Sequence, residues 1–304
     1  MKTILITGSN GLVGQKLVRH WSADPEIKVI ATSKSENRLD FSEGYTFELF
    51  DITNTAAAEY LFDLYKPDIV INAAALSSAD YCEEFRDQCW KVNVEAVENI
   101  VKVSNKHHSH FIQISTDFIF DGTTRPYSEE DNPNPVNFYG NSKMQAETIV
   151  REYAEKWSVI RTVLVYGFVK NIARPNIVTW VKDSLEQGKH IKVVNDQYRT
   201  PTLAEDLAGA IAEVAAREKE GIYHISGNNY MSIIDIAYLI CYMFGLDRTL
   251  ITPVTTVSLN EKAMRPPRTG FAIEKAMRDL GYEPHTFMEG LGIIKEQMEQ
   301  LSRS

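Results

Sequence analysis

Tyr139-Gly140-Asn141-Ser142-Lys143 is a segment whose residue types and spacing could do chemistry. Pro135 and Asn137 precede it in the manner of a helix start, and a helix puts Tyr139 and Lys143 on one face at i and i+4. A free tyrosine keeps its proton to about pH 10, and a neighbouring ammonium favours the phenolate. A phenol so tuned could give a proton to a carbonyl oxygen as hydride reaches the carbon, and Lys143 could also bond a nicotinamide ribose. Taken alone, Tyr-x-x-x-Lys is common, and its ordinary meaning is a surface pair. It gains weight from Ser115-Thr116-Asp117, which ends an apolar run beginning at His110. There Thr116 could hold a substrate oxygen as negative charge develops on it.

A hydride needs a carrier, and Gly8-Ser9-Asn10-Gly11-Leu12-Val13-Gly14 has the composition to bind one. It follows an apolar β-prone run and opens an amphipathic one, so a pyrophosphate could approach the free N–H groups of a helix N-terminus. The spacing is G-x-x-G-x-x-G, not the familiar G-x-G-x-x-G. Gly8, Asn10, Gly11, Leu12, Val13 and Gly14 are therefore expected against a dinucleotide. The second strand ends Ala31-Thr32-Ser33-Lys34, with Arg38 close behind and no carboxylate at the turn. Ser33 and Lys34 suit a 2′-phosphate, which favours NADPH, with NADH as the second choice. Asp51 and Ile52 follow the third strand, where the Asp could reach an adenine amino group or cap the next helix. Ala73, Ala74 and Ala75 follow Asn72 at the fourth strand, and their small side chains would admit a cofactor closely.

These residues need a frame that brings strand ends together. Strands are expected over 2–7, 28–32, 46–50, 69–73, 110–115 and 159–165, alternating with helices over 11–21, 55–65, 87–107 and 138–157. That order describes an α/β fold, a doubly wound parallel sheet of the Rossmann type. Beyond about Gly167, Pro175, Pro201, Pro253, Pro266, Pro267 and Pro284 break the pattern, with helices still expected over 233–244 and 272–280. The division expected is a dinucleotide-binding domain over 1–167 and a smaller, mainly substrate-binding part over 168–304. Strands around 191–228 would return to the sheet.

With 32 basic and 41 acidic residues the chain carries a net charge of −9. That balance does not favour a nucleic-acid partner. No apolar stretch is long enough for a bilayer, and the first residues read as a strand and not as a signal peptide. Three cysteines (Cys82, Cys89, Cys241) in 304 residues suit a reducing, cytoplasmic setting. Cys82 and Cys89 read as core or surface thiols. His107-His108-Ser109-His110 reads as a helix-to-strand turn, and no metal site is expected.

The chain resembles the extended short-chain dehydrogenase/reductases, and among them the dTDP-4-dehydrorhamnose reductase family. The carriers are the glycine turn, Ser-Thr-Asp-Phe-Ile-Phe-Asp-Gly at 115–122, Tyr139-x-x-x-Lys143, Arg161-Thr162 before Val165-Tyr166-Gly167, and Asp196-Gln197 with Thr200-Pro201-Thr202. Gly221-Ile222-Tyr223-His224 and Arg265-Pro266 with Thr269 complete the set, which covers nearly the whole length. The resemblance implies Thr116, Tyr139 and Lys143 as the catalytic triad, and Asn93 beside the cofactor as a structural or proton-relay residue. It places Asp117 and Phe118 against the sugar, with Arg265 and Arg199 near the substrate phosphates. The activity implied is NADPH-dependent reduction of a nucleotide-linked 4-keto-6-deoxysugar, first of all dTDP-4-dehydro-L-rhamnose, by a homodimer.

The departures bear on the sugar. Val163-Leu164 stand where these reductases carry a tryptophan, and Leu76 to Glu84 match only loosely. A 4,6-dehydratase would need Asp-Glu directly after Thr116, and the chain has Asp117-Phe118. A sugar-nucleotide epimerase, and a non-catalytic NADP-binding regulatory subunit like that of methionine adenosyltransferase, stay open as alternatives.

Overall fold

The computed structural model of the chain describes residues 1–124 and 126–303. β1 (Lys2–Thr7) leads through the glycine turn into α1 (Leu12–Ser22), and β2 (Ile27–Ser33), β3 (Tyr45–Leu49), α2 (Thr55–Tyr65) and β4 (Ile69–Asn72) follow. The short helices α3 (Ala79–Glu84) and α4 (Arg86–Trp90) run through a π-helical turn, Lys91–Glu95, into α5 (Ala96–Lys106). β5 (His110–Thr116), α6 (Phe138–Tyr153) and β6 (Lys156–Thr162) complete the first half.

The expected helix to Trp157 stops at Tyr153, because Ala154 turns to extended backbone. The strand expected over 159–165 occupies Lys156–Thr162, and Leu164, at φ 39°, breaks it from the two-residue β7 (Val165–Tyr166). The second half continues with α7 (Ile177–Glu186), β8 (Ile191–Val194), β9 (Tyr198–Arg199), β10 (Thr202–Leu203), α8 (Ala204–Ala216) and β11 (Gly221–Ile225). β12 (Met231–Ser232), α9 (Ile233–Phe244), β13 (Ile251–Val254), α10 (Thr256–Leu259), α11 (Glu274–Leu280) and α12 (Phe287–Arg303) close the chain.

Seven parallel strands form the central sheet in the order β3-β2-β1-β4-β5-β6-β11. The chain winds outward from β1 in one direction and then, from β4, in the other. This reversal opens a crevice at the carboxyl ends of β1 and β4. Leu17 and Val18 of α1 join Leu207 and Ile211 of α8 on one face of the sheet. Phe62 of α2, Ile100 of α5 and Val150 of α6 cover the other. Strands buried on both faces read as continuous apolar runs, as Ile4-Leu5-Ile6 and Ile69-Val70-Ile71 do.

Of the later stretch 191–228, only β11 joins this sheet, beside β6. β8 instead pairs with β13 outside it, over a third apolar cluster that includes Val181, Ile240 and Leu291. The last helix returns to the first: Lys16 Nζ lies 2.7 Å from Glu205 Oε1 and donates to Gln297 Oε1 at 3.2 Å. Among the described residues no helix is long and apolar enough to cross a membrane.

Candidate active site

A cleft of about 900 Å³ opens over the carboxyl ends of the sheet strands, a size suited to small-molecule ligands. One wall is the glycine turn. Gly8 adopts φ +68°, and a Cβ there would come within 2.7 Å of the Ala74 backbone nitrogen. A Cβ on Gly14 would meet the Gly8 carbonyl oxygen at 2.3 Å. Gly11, the N-cap of α1, supplies no capping side chain, and no acidic residue occupies the first turn. The leading N–H groups of α1 are thus open to an anion, and the buried Ser9 hydroxyl has no protein partner. An uncapped helix start, a cradle that a Cβ would fill and an orphaned hydroxyl fit the pyrophosphate of a dinucleotide.

Asn10 works sideways. Its Nδ2 donates to the Glu36 carbonyl at 2.8 Å and to the Ser35 carbonyl at 3.2 Å, while Oδ1 accepts from Arg38 N at 2.9 Å. The loop after β2 is thereby clasped to the glycine turn, and Ser33, Lys34, Ser35 and Arg38 line the cleft there. Asp51 and Ile52 also line it. Asp51 does not cap α2, whose N-cap is Asn54. It accepts instead from Thr53 N and Oγ1, bonds that, with Lys34 and Lys91 nearby, hold its carboxyl below the usual range against burial. Ala73, Ala74 and Ala75 form the floor beside Leu12 and Val13.

Thr116, Tyr139 and Lys143 converge at the other end of the cleft. Asn137 caps α6 by accepting from Gly140 N at 2.8 Å, which fixes the first turn and the direction of Tyr139. The Tyr139 ring meets Phe118 edge-on with centroids 5.8 Å apart. Burial pushes the Tyr139 phenol above its ordinary range; a hydrogen bond with Thr116 opposes this and the Asp117 charge adds to it. Burial dominates, so the phenol is raised and not depressed as the neighbouring ammonium led one to expect. Lys143 is itself buried and held down to about 8, with Glu147 opposing the shift, and its Nζ donates to the Ile114 carbonyl at 2.7 Å. Near neutral pH the site therefore offers a protonated phenol beside a charged amine.

A buried network stands behind this pair. Glu147 accepts from Arg161 Nη2 at 2.7 Å and from the Ser115 hydroxyl, and Arg161 also reaches His224 Nε2 at 3.3 Å. Burial and the Arg161 charge keep His224 neutral.

Asn93, expected beside the cofactor, does not line the cleft. It sits buried on the π-helical turn and clamps Leu76 through both backbone groups, at 2.9 and 3.0 Å, while donating to Ser142 Oγ at 3.0 Å. Its place is that of a brace. The expectation for Arg199 is likewise corrected. It is 3% exposed and donates to the carbonyls of Tyr198 at 2.7 Å and Pro266 at 2.8 Å, with its Nε 3.5 Å from Asp117. A guanidinium so enclosed cannot meet a substrate phosphate.

Asp117 and Phe118 line the cleft, but the Asp117 carboxylate also accepts from Thr269 and Thr116. Arg265 reaches the rim, where Asp80 holds it by two bonds of 3.0 and 2.6 Å and Glu261 lies at 3.1 Å. The rings at 107, 108 and 110 find separate partners, Asp63, Glu155 and Ser158. Sequence reasoning missed the segment 172–177, which puts Ile172, Arg174 and Asn176 on the cleft wall. Its one signal was Asn176-x-x-Thr179, a reciprocal capping box that starts α7.

The RmlD substrate binding domain model matches residues 1–300. The spore coat polysaccharide biosynthesis protein SpsK of Bacillus subtilis is 30% identical over 292 residues, covering 96% of each chain. Methionine adenosyltransferase 2 subunit beta of Xenopus laevis is 30% identical over 257 residues, 83% of this chain and 75% of that protein. Among solved structures, the dTDP-4-dehydrorhamnose reductase of Bacillus anthracis in complex with NADP is 28% identical, with a TM-score of 0.84 over 98% of this chain and all of that one. A family model spanning nearly every residue, on a doubly wound sheet with this glycine turn, leads to one conclusion: the chain belongs to the RmlD substrate binding domain family of the extended short-chain dehydrogenase/reductases.

Proposed function

We propose that the protein is an NADPH-dependent reductase of a nucleotide-linked 4-keto-6-deoxysugar, with dTDP-4-dehydro-L-rhamnose as the first candidate. The observation that carries this reading is the convergence of Thr116, Tyr139 and Lys143 at one end of a cleft whose other end is walled by Ser33, Lys34, Ser35 and Arg38. The Bacillus anthracis relative, a reductase in complex with NADP, supports the same pairing of cofactor and substrate class.

A nicotinamide held in this cleft would supply the hydride. The chain's own residues supply orientation and the proton. Thr116 Oγ1 holds the ketone oxygen, and the Tyr139 phenol, protonated at neutral pH, delivers its proton there as negative charge builds. Lys143, fixed on the Ile114 carbonyl, keeps a positive charge under that site and orients the ribose. The uncapped start of α1 takes the pyrophosphate, and Lys34 with Arg38 takes the 2′-phosphate. The dehydratase alternative lacks the glutamate of its Asp-Glu pair: Phe118 stands in that position, and Asp117 is committed to Arg199 and Thr269.

The test mixes protein, NADPH and dTDP-4-dehydro-L-rhamnose and follows nicotinamide absorbance, with Tyr139→Phe beside the wild type. Turnover that the variant loses supports the reading. NADPH binding without turnover of any 4-ketosugar sinks it, and leaves the regulatory role borne by the methionine adenosyltransferase subunit as the successor.

A further inference from the structure

Two buried cysteines lie directly behind the candidate catalytic pair. Cys82 on α3 and Cys89 on α4 are both fully enclosed. Their sulfurs flank one hydrogen bond: Cys82 Sγ reaches the Leu76 carbonyl at 3.4 Å, and Asn93 Nδ2 reaches the same carbonyl at 3.0 Å and Cys89 Sγ at 3.4 Å. Cys89 Sγ also lies 3.4 Å from Ser142 Oγ, whose proton goes to the Tyr139 carbonyl at 2.7 Å. Each thiol is the strongest influence on the other's titration, and Cys89 is the one held low, helped by Ser142, Lys143 and Asn93. A thiol pair that only filled space would not need to be wired to Asn93 and Ser142.

The cover over this pair is thin. α3 and α4 are six and five residues long and meet at Phe85, which is 41% exposed. Residues 83–88 line a dent on the outer surface. Short helices joined by a break open locally at low cost.

We propose that Cys82 and Cys89 are a modification site, an oxidisable dithiol that hydrogen peroxide converts to a disulfide, displacing the Asn93–Ser142 brace beneath Tyr139 and Lys143. The Cys89 sulfur attacks one peroxide oxygen. An S–O bond forms as the O–O bond breaks, and the other oxygen leaves as water with the thiol proton. The Cys82 sulfur then attacks the Cys89 sulfur, forming S–S and breaking S–O, and the oxygen leaves as a second water with the Cys82 proton. Two thiols are oxidised and one peroxide is reduced. Closing the sulfurs to a bond of about 2.05 Å pulls both from their present partners. Leu76 and Ala79, which line the cleft, move with them.

The activity readout rests on the reductase reading; the chemical readout does not. Reduced full-length protein is treated with hydrogen peroxide, alkylated and digested without reductant. The expected result is a Cys82–Cys89 crosslink with Cys241 alkylated. Activity falls roughly 100-fold, the scale of a 1 Å displacement of a reacting group, and dithiothreitol restores it. In Cys82→Ser, or Cys82→Ala, peroxide leaves a Cys89 sulfenic acid that dimedone traps. Full alkylation of Cys82 and Cys89 after peroxide overturns the proposal, as does a crosslinked protein with unchanged activity and NADPH affinity. If no ketosugar is reduced in either state, the reductase reading fails alone, and NADPH affinity by fluorescence still decides this one.

Discussion

Arg199 and Asp117 face each other at 3.5 Å inside the protein, one residue beyond Thr116 in the chain. Burial pushes the Asp117 carboxyl up and the Arg199 guanidinium down, and each opposes the shift of the other. Removing one partner strands the other charge, so Arg199→Met is expected to cost about 3–5 kcal/mol in urea unfolding. Asp117→Asn in the same chain is expected to recover part of that loss. A stability unchanged by Arg199→Met would show that the pair is not load-sharing.

Lys143 gives a pH dependence with a defined sign. Its ammonium is held down to about 8, so the charge is present below that pH and lost as pH rises through it. Catalytic efficiency is expected to fall with a limb near pH 8, while the Tyr139 phenol, pushed up by burial, titrates beyond it. Lys143→Arg keeps its charge at any accessible pH. The limb is expected to vanish in that variant, whatever its absolute rate.

The wall after β2 is expected to set cofactor choice. Lys34→Ala and Arg38→Ala should each weaken NADPH by about tenfold or more, the scale of a hydrogen bond to a charged group, and leave NADH nearly unchanged. Titrating both cofactors by fluorescence decides it. Equal losses for the two would move the phosphate contact elsewhere.

Gly14→Ala tests the turn. The added Cβ would collide with the Gly8 carbonyl oxygen, so a destabilisation of about 1–3 kcal/mol is expected together with loss of NADPH binding. Thermal melts with and without NADPH separate the two effects: the wild type gains stability from the cofactor and the variant does not.

Much of this architecture was legible in the sequence because it depends on local rules. Glycine spacing after an apolar run marked the turn between β1 and α1, and the 3.6-residue period marked α2 and α9 to the residue. Pro135 and Asn137 marked the start of α6 within a residue. What escaped depends on distant partners. Nothing adjacent to Arg199 announces that residues 266–267 and Asp117 will enclose it, and a lone arginine after a tyrosine reads as available charge. Asn93, expected beside the cofactor as a structural or proton-relay residue, keeps the structural role, and only its contacts with Leu76 and Ser142 show that it stands back from the cleft. The sign of the Tyr139 shift could not be read from an i,i+4 spacing, because desolvation is a property of the closed site and not of the helix.

The seventh strand of the central sheet has a consequence for biosynthesis. β11 pairs with β6 but is encoded beyond residue 220, and α12 bonds back to Lys16 from the last twentieth of the chain. A nascent chain halted at residue 167 therefore emerges with an unpaired β6 edge and an uncovered α1 face. Such a fragment is expected to linger with chaperones until α8 and β11 have been made and can cover it.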